Sequence, residues 1–286
     1  MNGIVIVDKP QEWTSQDVTA RLRRVFNTRR IGHGGTLDPM ATGVLPVFVG
    51  RATRGVEFFE HAEKAYEAVL RLGMTTDTED IFGNILTEQD VFVTGEQLEK
   101  VLEQFRGEIL QVPPMYSALK VNGQKLCDLA RKGKEVERKP RPITIHELTM
   151  LGMEADGIRL LVRCSKGTYI RTLCKDIGEA LGCGGCMASL RRVQAGEYTI
   201  GEAIPLQELL ETQEPEKYLR GVDTMFRNHP EVTLTANQEK RCRCGNSFSV
   251  KLPEGTYRAY GQNGEFLMLA KVEAGVMSTI KSFFEV

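Results

Sequence analysis

One glycine-rich stretch constrains the fold more than any other part of the chain: Gly32-His33-Gly34-Gly35-Thr36-Leu37-Asp38-Pro39-Met40-Ala41-Thr42-Gly43-Val44-Leu45-Pro46. Four glycines within twelve residues let the backbone turn tightly or approach a ligand closely. Pro39 biases Asp38 towards extended backbone. A short acid is therefore held stiffly in a loop. On spacing alone the stretch reads as a structural turn, because Gly, Asp and Pro are the commonest turn residues. A phosphate cradle is a weaker reading: there is no Gly-Lys-Ser/Thr ending, and no Gly-x-Gly-x-x-Gly follows the first strand.

Apolar patterning around this loop predicts short, interleaved strands and helices. Residues 3–7 form a first buried strand. Thr14 caps the next helix, with Asp17 three positions on, and Val18, Leu22, Val25 and Phe26 share one face. Residues 66–72 read as a strand ending at Gly73. Leu98, Val101, Leu102 and Phe105 mark a second amphipathic helix closed by Gly107. Strands over 142–151 and 158–164 flank Asp156-Gly157, a hairpin signal. Residues 168–181 contain a helix with Ile170, Leu173, Cys174, Ile177 and Leu181 inward. The expected class is α+β, one mixed, largely antiparallel sheet flanked by helices.

With 286 residues, 41% hydrophobic and 26% charged, the chain suits one large domain plus a small one. No apolar run approaches the ~20 residues of a membrane helix. The N-terminus lacks a basic start and reads as a strand, not a signal peptide, so a cytoplasmic protein is expected. Net charge is -1, yet basic residues cluster. Arg21, Arg23, Arg24, Arg29 and Arg30 fall within ten residues, and eight bases against three acids lie between Lys120 and Arg141. Such patches grip phosphates, or they are solvated helix faces. Seven cysteines in this setting argue against a disulfide framework. Cys183-Gly184-Gly185-Cys186 has metal-ligand spacing, but Cys242-Arg243-Cys244 is too close for a zinc ribbon, so the thiols are assigned to packing.

The full text of the glycine-rich stretch, Gly32 to Pro39 followed by Ala41-Thr42-Gly43-Val44-Leu45, resembles the catalytic motif of the TruB-type pseudouridine synthases. Four further segments match in order: Asp8-Lys9-Pro10, Lys64-Ala65-Tyr66-Glu67, Lys166-Gly167-Thr168-Tyr169-Ile170-Arg171-Thr172-Leu173 and Ser189-Leu190-Arg191-Arg192. The resemblance implies a pseudouridine-synthase-like sheet in a catalytic domain over 1–228. It implies a basic, thumb-like insertion at about 111–141 and a small β-rich, PUA-like RNA-binding domain over 229–286. It also implies isomerisation of a uridine (position 55) in the T-arm of tRNA.

Under the resemblance Asp38 is the catalytic aspartate, Tyr66 stacks on the target base, Tyr169 and Arg171 complete the catalytic set, and Leu190 lines the uracil pocket. His33, Asp80 and Lys9 join the substrate-binding set, with Asp80 in an ionic network with Arg171. Without the resemblance, Tyr66 and Tyr169 read as core residues, and Arg171 as a surface partner of Asp176 or Glu179. No cofactor and no metal are expected, because the isomerisation exchanges no electrons and loses no group. The expected partner is tRNA alone, with no membrane, no obligatory protein partner and a monomeric state. Two rivals remain: an enzyme of the guide-RNA-directed branch, and a module that remodels tRNA without catalysis.

Overall fold

The computed structural model describes residues 1–121 and 123–285. The chain forms two compact units, one of Met1–Pro39, Leu45–Glu60 and Gly201–Val286, the other of Met40–Val44 and His61–Ile200.

The first unit begins with β1 (Gly3–Lys9), whose apolar run from Ile4 to Val7 is wholly buried. α1 (Ser15–Val25) starts at a capping box: the Thr14 hydroxyl accepts from the Asp17 N–H at 3.0 Å, and the Asp17 carboxylate accepts from the Thr14 N–H at 3.0 Å. Val18, Leu22 and Phe26 are buried and leave the arginines outside. β2 (Ile31–His33) runs antiparallel to β3 (Thr42–Val49), with Ile31 opposite Val49 and His33 opposite Val47. The glycine-rich stretch is therefore the connection of a wide hairpin. α2 (Val56–Phe59) follows.

The second unit contains β4 (Lys64–Leu72), β5 (Met74–Thr76), β6 (Ile85–Glu88), α3 (Gly95–Gln104), β7 (Gly107–Gln111), β8 (Lys120–Val121), β9 (Gln124–Lys125), α4 (Leu126–Ala130), β10 (Arg141–Glu154), β11 (Gly157–Cys164), α5 (Ile170–Ala180), β12 (Gly185–Ala195) and β13 (Tyr198–Thr199). Its sheet runs β12-β4-β11-β10-β7, antiparallel at every step. The first residues of β3 join β12 in parallel, Thr42 opposite Arg191 and Gly43 opposite Arg192, so the sheet is mixed as expected. α5 buries Ile170, Leu173, Cys174 and Ile177 against β12 and β4. The basic segment leaves from Gln111 and returns at Arg141, which are themselves paired across β7 and β10. It is thus an insertion at the end of one strand pair, and its described residues carry the β8–β9 strands and α4.

The chain then returns to the first unit through β14 (Ile204–Pro205), parallel to β1, and α6 (Leu206–Glu211). The tail holds β15 (Glu231–Thr233), α7 (Ala236–Arg243), β16 (Phe248–Ser249), β17 (Gly255–Tyr260), β18 (Phe266–Glu273) and β19 (Val276–Ser282), in sheet order β15-β17-β18-β19-β16. This curled sheet has its own core, including Leu234, Tyr257, Leu267, Met268 and Met277. The molecule is α+β.

Candidate active site

The residues on either side of Asp38 are fastened. The Leu37 N–H donates to the buried Ser15 hydroxyl at 2.9 Å. The Pro39 carbonyl accepts from the Glu12 N–H at 2.8 Å and from Lys9 Nζ at 3.3 Å. Asp38 itself is half-buried between these anchors. Lys9 also donates to the carbonyls of Pro10 (2.9 Å) and Trp13 (2.5 Å) and is 0% exposed. Its position differs from the substrate-binding expectation: a wholly buried ammonium bound to three carbonyls braces backbone. His33 ends β2 half-buried, with its Nε2 3.5 Å from Gln16 Nε2.

Tyr66, Asp80, Tyr169, Arg171 and Leu190 all belong to the second unit. Tyr66 and Ala68 of β4 lie opposite Arg192 and Leu190 of β12. Side chains alternate along a strand, so these four share one face of the sheet. Arg192 is 1% exposed, and its Nε donates to the Val44 carbonyl at 2.6 Å. Burial holds this guanidinium below the usual arginine range, while charge attraction and a hydrogen bond to Tyr66 oppose that. Arg192 thus fixes the tyrosine that the sequence nominated as the stacking platform.

Arg171 sits in the first turn of α5 and is buried. Its guanidinium donates to the Thr78 carbonyl at 3.0 Å and the Tyr116 carbonyl at 2.9 Å, and Nη1 lies 4.0 Å from Asp80 Oδ2. The pair is with Asp80, not with Asp176 or Glu179, because the side chain points inward; Lys175 takes Glu79 and Glu179 instead. Tyr169 caps α5. Its backbone is gripped by the buried amide of Gln111, which accepts from the Tyr169 N–H at 2.8 Å and donates to its carbonyl at 3.0 Å. Sequence reasoning passed over Gln111 and Arg192. A glutamine ending a strand and the second of two arginines carry no local signal; only cross-strand register reveals them. The cysteines are free thiols, mostly buried.

Residues 23–170 match a family model described as the N-terminal domain of the TruB family pseudouridylate synthases, and residues 171–223 match one described as the tRNA pseudouridylate synthase B C-terminal domain. A tRNA pseudouridine synthase B of Stutzerimonas stutzeri (strain A1501) is 43% identical over 282 residues, covering 95% of this chain and 92% of the relative. One from Clostridium kluyveri is 42% identical over 273 residues, covering 93% and 94%. A solved H/ACA RNP bound to a substrate RNA containing 2′-deoxyuridine has a chain of the same fold, with TM-score 0.74 and 23% identity over 99% of this chain and 85% of that one.

Proposed function

The chain belongs to the TruB family of pseudouridylate synthases, and on that premise we propose that it converts one T-arm uridine of tRNA, position 55, to pseudouridine. The observation that carries this reading is the aspartate loop, a match in sequence whose backbone is pinned on both sides of Asp38. A pinned backbone aims a short carboxylate without reorganisation when substrate arrives.

The reaction breaks the bond from C1′ to N1, turns the base, and forms a bond from C1′ to C5. The C5 proton leaves and N1 gains one, so atoms balance with no electron exchange. Asp38 acts at the sugar, as nucleophile or as base, and in either role it acts ionised. Tyr66 stacks on the extruded uracil, which offsets part of the few kcal/mol that base flipping costs. Leu190 supplies an apolar wall, Tyr169 takes the C5 proton, and His33 fills the space vacated by the flipped nucleotide or holds the rearranged RNA loop. Asp80 orients Arg171, and Lys9 holds the Pro39 carbonyl. The residues 1–228 carry the chemistry, while the basic insertion 111–141 and the tail 229–286 grip RNA. The protein acts in the cytoplasm as a monomer without a protein partner.

The test is Asp38→Asn. It is expected to lower isomerisation by at least about 10³-fold while tRNA affinity stays within about twofold. Full activity in the variant overturns the assignment. Wild-type protein that binds tRNA but does not isomerise it points to the remodelling reading instead.

A further inference from the structure

The turn between β5 and β6 carries a second aromatic ring that the mechanism above does not use. Phe82 is 65% exposed, flanked by Ile81 at 40% and, along β6, by Ile85 at 57% and Leu86 at 65%. Its backbone is nonetheless tightly held. The Phe82 N–H donates to Asp80 Oδ1 at 3.0 Å, and Thr78 Oγ1 donates to the same oxygen at 2.8 Å. The Ile81 N–H reaches the Met187 carbonyl at 3.0 Å, and the Met187 N–H reaches the Glu79 carbonyl at 3.0 Å. Asn84 binds both carboxylate oxygens of Asp77 at 2.8 Å. Gly83 closes the turn: a Cβ there would fall 2.3 Å from Thr78 Oγ1 and 2.4 Å from Asp77 Oδ1. Glu79 adopts φ 64, a sparsely populated conformation, and its carboxylate is held by the Thr172 hydroxyl at 2.6 Å.

Such bracing around an exposed ring keeps it in place for a partner. A flat apolar face on fixed backbone suits a nucleobase, which stacks without sequence preference. The turn's Asp80 is also the partner of Arg171, so the ring is tied to the proposed catalytic set. We propose that Phe82 is a second stacking platform, for an unpaired base of the RNA substrate other than the target uridine. This rests on the tRNA reading of the site. Phe92 is the natural control, 87% exposed but in the irregular connection between β6 and α3.

Phe82→Ala is expected to raise KM for substrate tRNA about tenfold with kcat nearly unchanged, Phe82→Trp to restore KM, and Phe92→Ala to leave it unaltered. The chain has one tryptophan, Trp13. In the Trp13→Phe, Phe82→Trp double variant, tRNA carrying the T-arm is expected to quench emission, and tRNA lacking that arm is not. A KM for Phe82→Ala within about twofold of wild type, or emission indifferent to saturating tRNA, overturns the proposal. Wild-type turnover is measured alongside: an inactive wild type counts against the tRNA reading, whereas an active wild type beside an indifferent Phe82→Ala overturns this inference alone.

Discussion

Arg171 makes three contacts that a lysine cannot reproduce together. Its planar fork reaches the Thr78 and Tyr116 carbonyls and faces Asp80, all from one buried guanidinium. A lysine is a single point donor and leaves at least one buried carbonyl unpaired. Arg171→Lys is therefore expected to lower stability by about 1–3 kcal/mol, read as the shift in urea midpoint, and to depress kcat more than tRNA affinity. Asp38, Tyr66, Arg171 and Leu190 were legible as candidates because each stands in a contiguous stretch with its own text. Lys9 was legible as a candidate but not in its place, since nothing local says that its ammonium turns inward to three carbonyls. Gln111 and Arg192 were invisible, because each matters through a residue far away in sequence.

At the scale of elements, β3 and β12 meet closely at Gly43. Its φ is 101, and a Cβ would stand 2.2 Å from the Arg192 carbonyl oxygen. Gly43→Ala combines backbone strain with a clash against a strand that cannot withdraw. It is expected to cost at least about 3 kcal/mol, seen as insoluble protein or a large fall in Tm. α5 carries a different liability. Burial raises the Asp176 carboxyl to about 6. The folded state therefore favours the protonated acid, and that contribution is present below the ordinary carboxylate range and lost as pH rises through about 6. Asp176→Asn is expected to be more stable than wild type at pH 7–8 by about 1 kcal/mol, allowing for partial exposure, with the difference fading as pH falls to about 4. β1, α1, β4, α3, β10, β11 and α5 were legible from capping signals, apolar periodicity and the Asp156-Gly157 hairpin, whereas β2, β3 and β12 were not read as strands. Strand order was not: β12 lies beside β4, more than a hundred residues earlier, and that pairing depends on long-range packing.

The whole molecule is nearly neutral, so its grip on RNA rests on charge placement. Lys120, Lys125 and Lys132 line a cleft of about 380 Å³ in the insertion, with Gln124 and Asp128. Changing the three lysines to alanine is expected to weaken tRNA binding and to flatten the plot of log K against log salt by about one unit for each phosphate that is no longer neutralised. An unchanged slope means the insertion does not meet phosphates. No described helix is long and apolar enough to cross a membrane. The proposed reaction is isomerisation of one T-arm uridine by Asp38 and the chain's own side chains. It is tested most directly with unmodified tRNA tritiated at C5 of uridine, incubated with purified protein in chelator and without added cofactor. Tritium release is expected from the T-arm uridine alone, abolished by Asp38→Asn. Salt-sensitive binding of the same tRNA without release, or release that survives Asp38→Asn, contradicts it.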